Sequence, residues 1–223
     1  MQNYSVSLTK NSSIATNKVL RNTYFLLSLT LLFSGITCYW AMLSKATFLG
    51  PIATIIGMFG LLFLTQLLRN SFLGIIATFA FTGFMGYVLA PTLNFYMQNF
   101  TNGGALILTA LCGTGLIFFT LSAYTLITRK DLSFLGGFLF VAITTAFVAS
   151  LAGLIFNLPV LQLLVSGVFM LICSALIMFH TSSIIHGGET SYISATVSLY
   201  VALLNIFISL LNILGAFAGN SRK

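Results

Sequence analysis

The chain has only two histidines, His180 and His186, and only two acids. Both histidines stand with one of the acids, Glu189, in the stretch FHTSSIIHGGET at 179–190. Imidazole and carboxylate groups so close in sequence could bind a metal, pass a proton or work as a general acid and base. Each of these chemistries needs more than the stretch supplies. Residues six apart fall on different faces of a helix and no third ligand stands beside them, so no metal site is expected. The second acid, Asp131, falls in a separate loop, so no carboxylate dyad or two-acid proton relay is expected within the spans. Neither a GxSxG elbow nor an HExxH pair occurs. Catalysis is the least favoured class, and no cofactor is expected.

The elements that hold this stretch follow from composition. Hydrophobic residues make up 58% of the 223 and charged residues 5%, which leaves too little polar surface for a water-soluble domain. Lipid is the expected surroundings. A charge at the centre of a bilayer is costly, so the few charges mark the ends of spans of about 20 residues. Windows bounded by Arg21, Lys45, Arg69, Arg129, Asp131, Glu189 and Arg222, with breaks at 91–104 (PTLNFYMQNFTNGG) and 156–159 (FNLP), give seven. The expected spans are 23–43, 48–68, 72–96, 105–127, 133–156, 159–180 and 193–217, with Pro159 suited to the first turn of its helix. Runs such as ALIMF are apolar at consecutive positions, which argues for helices over a barrel. The fold class is an all-α membrane protein, a seven-helix bundle over 23–217. A flexible, uncleaved polar tail over 1–22 precedes it, and a short tail over 218–223 follows.

With the N-terminus in the cytoplasm, Lys10, Lys18, Arg21, Arg69, Arg129 and Lys130 collect inside, while Lys45, Arg222 and Lys223 lie outside. The expected topology is therefore N-terminus cytoplasmic, C-terminus periplasmic. The formal charge of +7 is dispersed among loops, so it fits attraction to membrane lipid headgroups and not nucleic acid. Cys38, Cys112 and Cys173 fall in three different spans and show no CxxC pairing, which suits packing residues better than a disulfide framework. SFLG recurs at 71–74 and 133–136, each time after a basic turn, consistent with a duplicated helix pair.

In the last span Ser191, Ser198, Ala202, Asn205, Ser209, Asn212 and Ala216 recur at steps of three, four and seven. They draw a polar and small-residue stripe that should avoid lipid and place this helix centrally. Two roles fit the stripe: hydrogen-bonding glue between helices, or the lining of an ion path. Gly57 with Gly60, Gly83 with Gly86, and Ala149 with Gly153 carry small residues at spacings that let helices approach closely. Glu189 with Gly187 and Gly188 fits a tight hairpin.

Three stretches carry a family resemblance: GIIATFAFTGFMGYVLAPTL (74–93), TRKDLSFLGG (128–137) and IIHGGETSYISATVSLYVALLNIFISLL (184–211). Together they resemble the Bax inhibitor-1 family of seven-span membrane proteins. Ala90, before Pro91, replaces the glycine usual in that family's Gly-Pro-x-Leu signature, so Pro91 is expected at a helix-packing position. VLRNTYFLLSLTLLFSGIT (19–37), with IIHGGET and ATVSLYV, looks closest to the Gram-negative inner-membrane branch that modulates the membrane AAA protease FtsH. The resemblance implies a binder of the FtsH complex in the bacterial inner membrane; the alternative is a calcium or proton leak channel. Leak-type members carry an acid pair at positions that align with His180 and Ala202. That pair is lost here, and neither residue replaces the hard oxygen ligands calcium takes. His180, His186, Glu189, Ser198 and Asn205 remain as a candidate polar site at the inner end of the sixth and seventh helices.

Overall fold

The computed structural model describes the backbone of residues 2–156 and 158–220, and side chains over 16–219 except 154 and 157. Its described residues form seven helices and no strand: α1 (Gln2–Leu43), α2 (Pro51–Leu67), α3 (Phe72–Asn99), α4 (Gly103–Thr128), α5 (Leu135–Ile155), α6 (Pro159–Ile185) and α7 (Tyr192–Asn220). Six contain a stretch long and apolar enough to cross a membrane, and α2 is a shorter apolar helix. In lipid a backbone must satisfy its own polar groups, which is why such segments become helices and not open strands.

The charge windows locate these helices closely, and the differences have local causes. The first helix begins at Gln2, where a flexible tail over 1–22 is expected from polarity. Neither glycine nor proline occurs before Gly35, so nothing in the sequence breaks the helix between the polar stretch and the span. The polar break over 91–104 contracts to 100–102, because α3 continues through Pro91 to Asn99. A mid-helix proline forfeits a backbone hydrogen bond, which a membrane helix tolerates when its neighbours compensate. Helix α6 runs on to Ile185, which sets His180 inside the helix and not at its end. Pro51 opens α2 behind Gly50, whose φ of 82° suits glycine, and Pro159 opens α6 as expected. Arg222 and Lys223 lie outside the described residues, as does Asn157.

The chain divides into two compact units. One comprises Met1–Thr92 with His180–Tyr200, and the other Leu93–Phe179 with Val201–Lys223. The first buries Leu26, Leu27, Phe81, Ile184, Ile193 and Leu199. Alongside them it buries an uncommon number of hydroxyls, including Thr23, Thr30, Ser34, Thr78, Thr82, Thr181 and Thr196. Burying hydroxyls costs free energy unless they are bonded, and most of these donate to a carbonyl three or four residues back in their own helix. The second unit packs Leu139, Ala146 and Ile172 with Phe169 and Phe179. There Tyr96 Oη donates to Asn212 Oδ1 at 3.2 Å, and Asn212 Nδ2 donates to Ser166 Oγ at 3.4 Å. Gly215 is the position on α7 that admits the Tyr96 ring, since a Cβ there would meet its edge.

Candidate functional site

The hairpin between α6 and α7 explains why His186 and Glu189 gather. Gly188 N–H donates to Ser183 O at 2.9 Å and Gly187 N–H to Ile184 O at 3.2 Å, with Gly187 at a φ of 76°. This is a Schellman end to α6, built on a left-handed residue that glycine adopts without penalty. His186 is exposed, and its Nδ1 lies 2.9 Å from Ser182 O, so the ring donates there to a carbonyl near the helix end. Glu189 Oε1 accepts Ser191 N–H at 2.9 Å. Ser191 Oγ accepts Ser194 N–H at 3.3 Å, as an N-cap should, and donates to Arg69 O at 3.1 Å. The acid therefore lies at the negative-preferring start of α7, where a helix dipole favours it.

Replacing Ser191 by Ala should cost about 0.5–2 kcal/mol through loss of the cap. The check is thermal unfolding in detergent beside Thr190→Ala, an exposed neighbour. Equal melting for the two variants would remove the capping role.

The remaining candidate residues have individual surroundings. His180 sits partly buried on α6, and His186 lies beyond the end of that helix. Among the described residues no group of three His, Cys, Asp or Glu side chains could hold a metal. Ala202 is fully buried. Ser198 is partly buried, and Asn205 Nδ2 returns to Val201 O of its own helix at 2.8 Å. Of the stripe expected on the last span, Ser191 is a cap, Asn212 bridges to Tyr96 and Ser166, and Ala216 is exposed. At Asn212 the stripe acts as glue.

The small residues divide in the same way. A Cβ on Gly57 would meet the Phe84 ring, one on Gly83 would meet Phe33, and one on Gly86 would strike Ser34 O and Thr37 Oγ1. These three let α1, α2 and α3 approach within the first unit. Gly60 has open space beside it and serves no close contact; a small residue permits an approach but does not aim it. Pro91 is partly buried inside α3, and Ala90 before it is fully buried.

Sequence reasoning missed the best-connected polar group. Tyr200 is 1% exposed, and its hydroxyl donates to Thr82 O at 3.3 Å. With that proton engaged, the 2.6 Å contact with Ser34 runs from Ser34 Oγ–H to the Tyr200 oxygen. The ring meets Phe81 edge-on at 6.0 Å. One side chain on α7 thus joins α1 and α3 through a hydroxyl relay. A signal was available, since Thr23, Thr30 and Ser34 keep one face of α1, and Thr78 and Thr82 one face of α3.

An all-helical chain with buried hydroxyl networks and lipid-ready outer faces is a polytopic membrane protein. The family described as "Inhibitor of apoptosis-promoting Bax1" matches residues 16–219, and the chain belongs to this Bax inhibitor-1 family. It is 54% identical over 206 residues to the Escherichia coli K12 protein named "Modulator of FtsH protease YccA", covering 92% of this chain and 93% of that one. An uncharacterized protein of Pseudomonas aeruginosa is 49% identical, covering 94% and 96% of the two chains. An uncharacterized membrane protein of Vibrio cholerae is 44% identical, covering 93% of each.

Proposed function

We propose that this chain modulates an FtsH-type membrane AAA protease in the bacterial inner membrane, acting by binding and not by catalysis. The observation that carries the reading is the 54% identity, over nearly the whole of both chains, to a protein named for that role. The physical account has two parts. A protease of this class pulls on an accessible segment, and the polar residues 1–22 are the longest stretch outside the apolar spans. A stretch this polar in sequence has little apolar surface with which to hold a helix, so unwinding it costs little. Behind it, α1 is tied to α7 and α3 by Ser34, Tyr200 and Thr82, and Thr196 Oγ1, whose proton goes chiefly to Tyr192 O at 2.7 Å, lies 3.2 Å from Thr23 O. A chain that is easy to grip and slow to extract occupies the enzyme and so restrains it. This account takes the N-terminus as cytoplasmic and the C-terminus as periplasmic, in keeping with the distribution of Lys and Arg.

Deleting residues 2–18 tests the proposal. The truncated protein should remain inserted and folded, yet persist longer than the full chain in cells that contain the protease and equally long in cells that lack it. Overexpressing the full chain should slow turnover of another membrane substrate, and the truncated form should do so less. Equal lifetimes and equal effects on turnover would dismiss residues 1–22 as the handle. No effect of the full chain on turnover would overturn the modulator reading.

A further inference from the structure

Within the first unit an open groove of about 780 Å³ runs beside the C-terminal end of α1. From Ile36 to Ser44 its wall on α1 covers about 12 Å at the usual helical rise, and its volume lies in the range of small-molecule and lipid-sized sites. Ile36 and Ala41 line one side, and Gly83 with Tyr87 lines the other. Lys45 and Ser44 stand at its polar end, beside Trp40. None of the lining residues is acidic. Of the chain's two acidic side chains, Glu189 receives Ser191 N–H and Asp131 receives Ser133 N–H.

Lys45 is held in an unusual way. It occupies the left-handed position of a Schellman end to α1, with a φ of 49°, Lys45 N–H on Met42 O at 3.2 Å and Ala46 N–H on Ala41 O at 2.9 Å. Glycine is the ordinary residue there, and a side chain costs stability. Arg129, at a φ of 47° after α4, shows that a helix C-terminus favours a cation in this conformation. Lys45 differs in standing at the end of a groove, next to the chain's one tryptophan. A cation and an indole side by side are the usual anchors at a membrane interface, where phosphate headgroups lie.

We propose that this groove is a site for an anionic phospholipid, one acyl chain lying against Ile36, Ala41 and Gly83 and the phosphate against Lys45. The occupant is chosen by charge: an apolar trough ending in an uncompensated cation matches a lipid with net negative charge better than it matches a second apolar helix.

Trp40 lines the groove, is largely exposed and is the only tryptophan, so its fluorescence reports lipid at the groove and on the adjoining outer face, and the dependence on Lys45 isolates the groove's share. The full-length protein is reconstituted in phosphatidylcholine vesicles containing graded fractions of brominated phosphatidylglycerol or brominated phosphatidylcholine. Half-maximal quenching should occur at an about fivefold lower fraction of the anionic lipid, the effect of one lysine near a charged headgroup. Lys45→Gly should erase that preference while keeping or raising the melting temperature, because glycine relieves the left-handed backbone. Lys45→Met erases it with the side-chain bulk retained, and Lys45→Arg keeps it. Equal quenching by both lipids in the unmodified protein overturns the proposal, as does a preference that survives Lys45→Gly or Lys45→Met. Absence of quenching by either lipid means that protein, not lipid, covers the groove, and overturns it equally.

Discussion

Gly86→Leu is expected to be among the most damaging single changes in the chain, costing about 3 kcal/mol and removing most of the inserted, folded protein. A side chain at position 86 is driven into Ser34 O and Thr37 Oγ1 of α1. A backbone carbonyl cannot swing aside as a flexible side chain does, so α1 and α3 must separate. Separation stretches the Tyr200 relay, because Ser34 is both its donor and the residue struck. Gly60→Leu on α2 is the control, since nothing lies within 4 Å of a Cβ at that position. It should be neutral or slightly stabilising, as a leucine favours helix over glycine. Steady-state level and melting in detergent measure both variants. Similar losses at 60 and 86 would mean that close approach is not what Gly86 provides.

The second large effect is at Tyr200. Tyr200→Ala removes a fully buried ring and its hydroxyl together, and should cost about 3–5 kcal/mol, in line with other buried aromatic truncations. Tyr200→Phe separates the two contributions. It keeps the edge contact with Phe81 but leaves Ser34 Oγ and Thr82 O without the phenol, at a cost of about 1 kcal/mol. If Ser34 acts through Tyr200, combining Ser34→Ala with Tyr200→Phe should destabilise by less than the two single changes added together. Strict additivity in that cycle would show that the two hydroxyls contribute independently. Lifetime in protease-containing cells should follow the same order, with Tyr200→Ala degraded fastest, if extraction is what limits breakdown.

What the sequence made legible was whatever a single residue type decides locally. A charge is excluded from the apolar core wherever it falls, so Lys45, Arg69 and Arg129 marked helix ends to within a few residues. The glycines after His186 announced a turn because few other residues adopt a positive φ. The family resemblance, carried by long nearly continuous stretches, is matched across residues 16–219. What stayed hidden depends on how helices rotate and lean. Ser34 and Tyr200 are 166 positions apart, and no periodicity within α1 or α7 names the other as its partner. Gly60 and Gly86 look alike in the chain, yet one faces open space and the other a carbonyl. Pro91 was expected inside the third span and lies inside α3, where a membrane bundle tolerates a proline more readily than water does. The stretch around Glu189 was legible as a hairpin, and there Glu189 and Ser191 each take a backbone donor.

The 17 residues of α2 bear on the lipid itself. At 1.5 Å per residue this helix is about 25 Å long, some 5 Å short of the hydrocarbon thickness of an average bilayer. Gly50 and Pro51 fix one end and the turn at Leu68 the other, so the helix cannot lengthen without unmaking its caps. A helix of this length that crosses a bilayer draws the surrounding leaflets toward it, at a fraction of a kcal/mol for each ångström. A protein carrying such a dent has reason to gather where the bilayer is already thin, and to share that dent with any neighbour that deforms the membrane in the same sense. Hydrophobic mismatch, with no specific contact at all, would then raise the local concentration of partners that this chain meets.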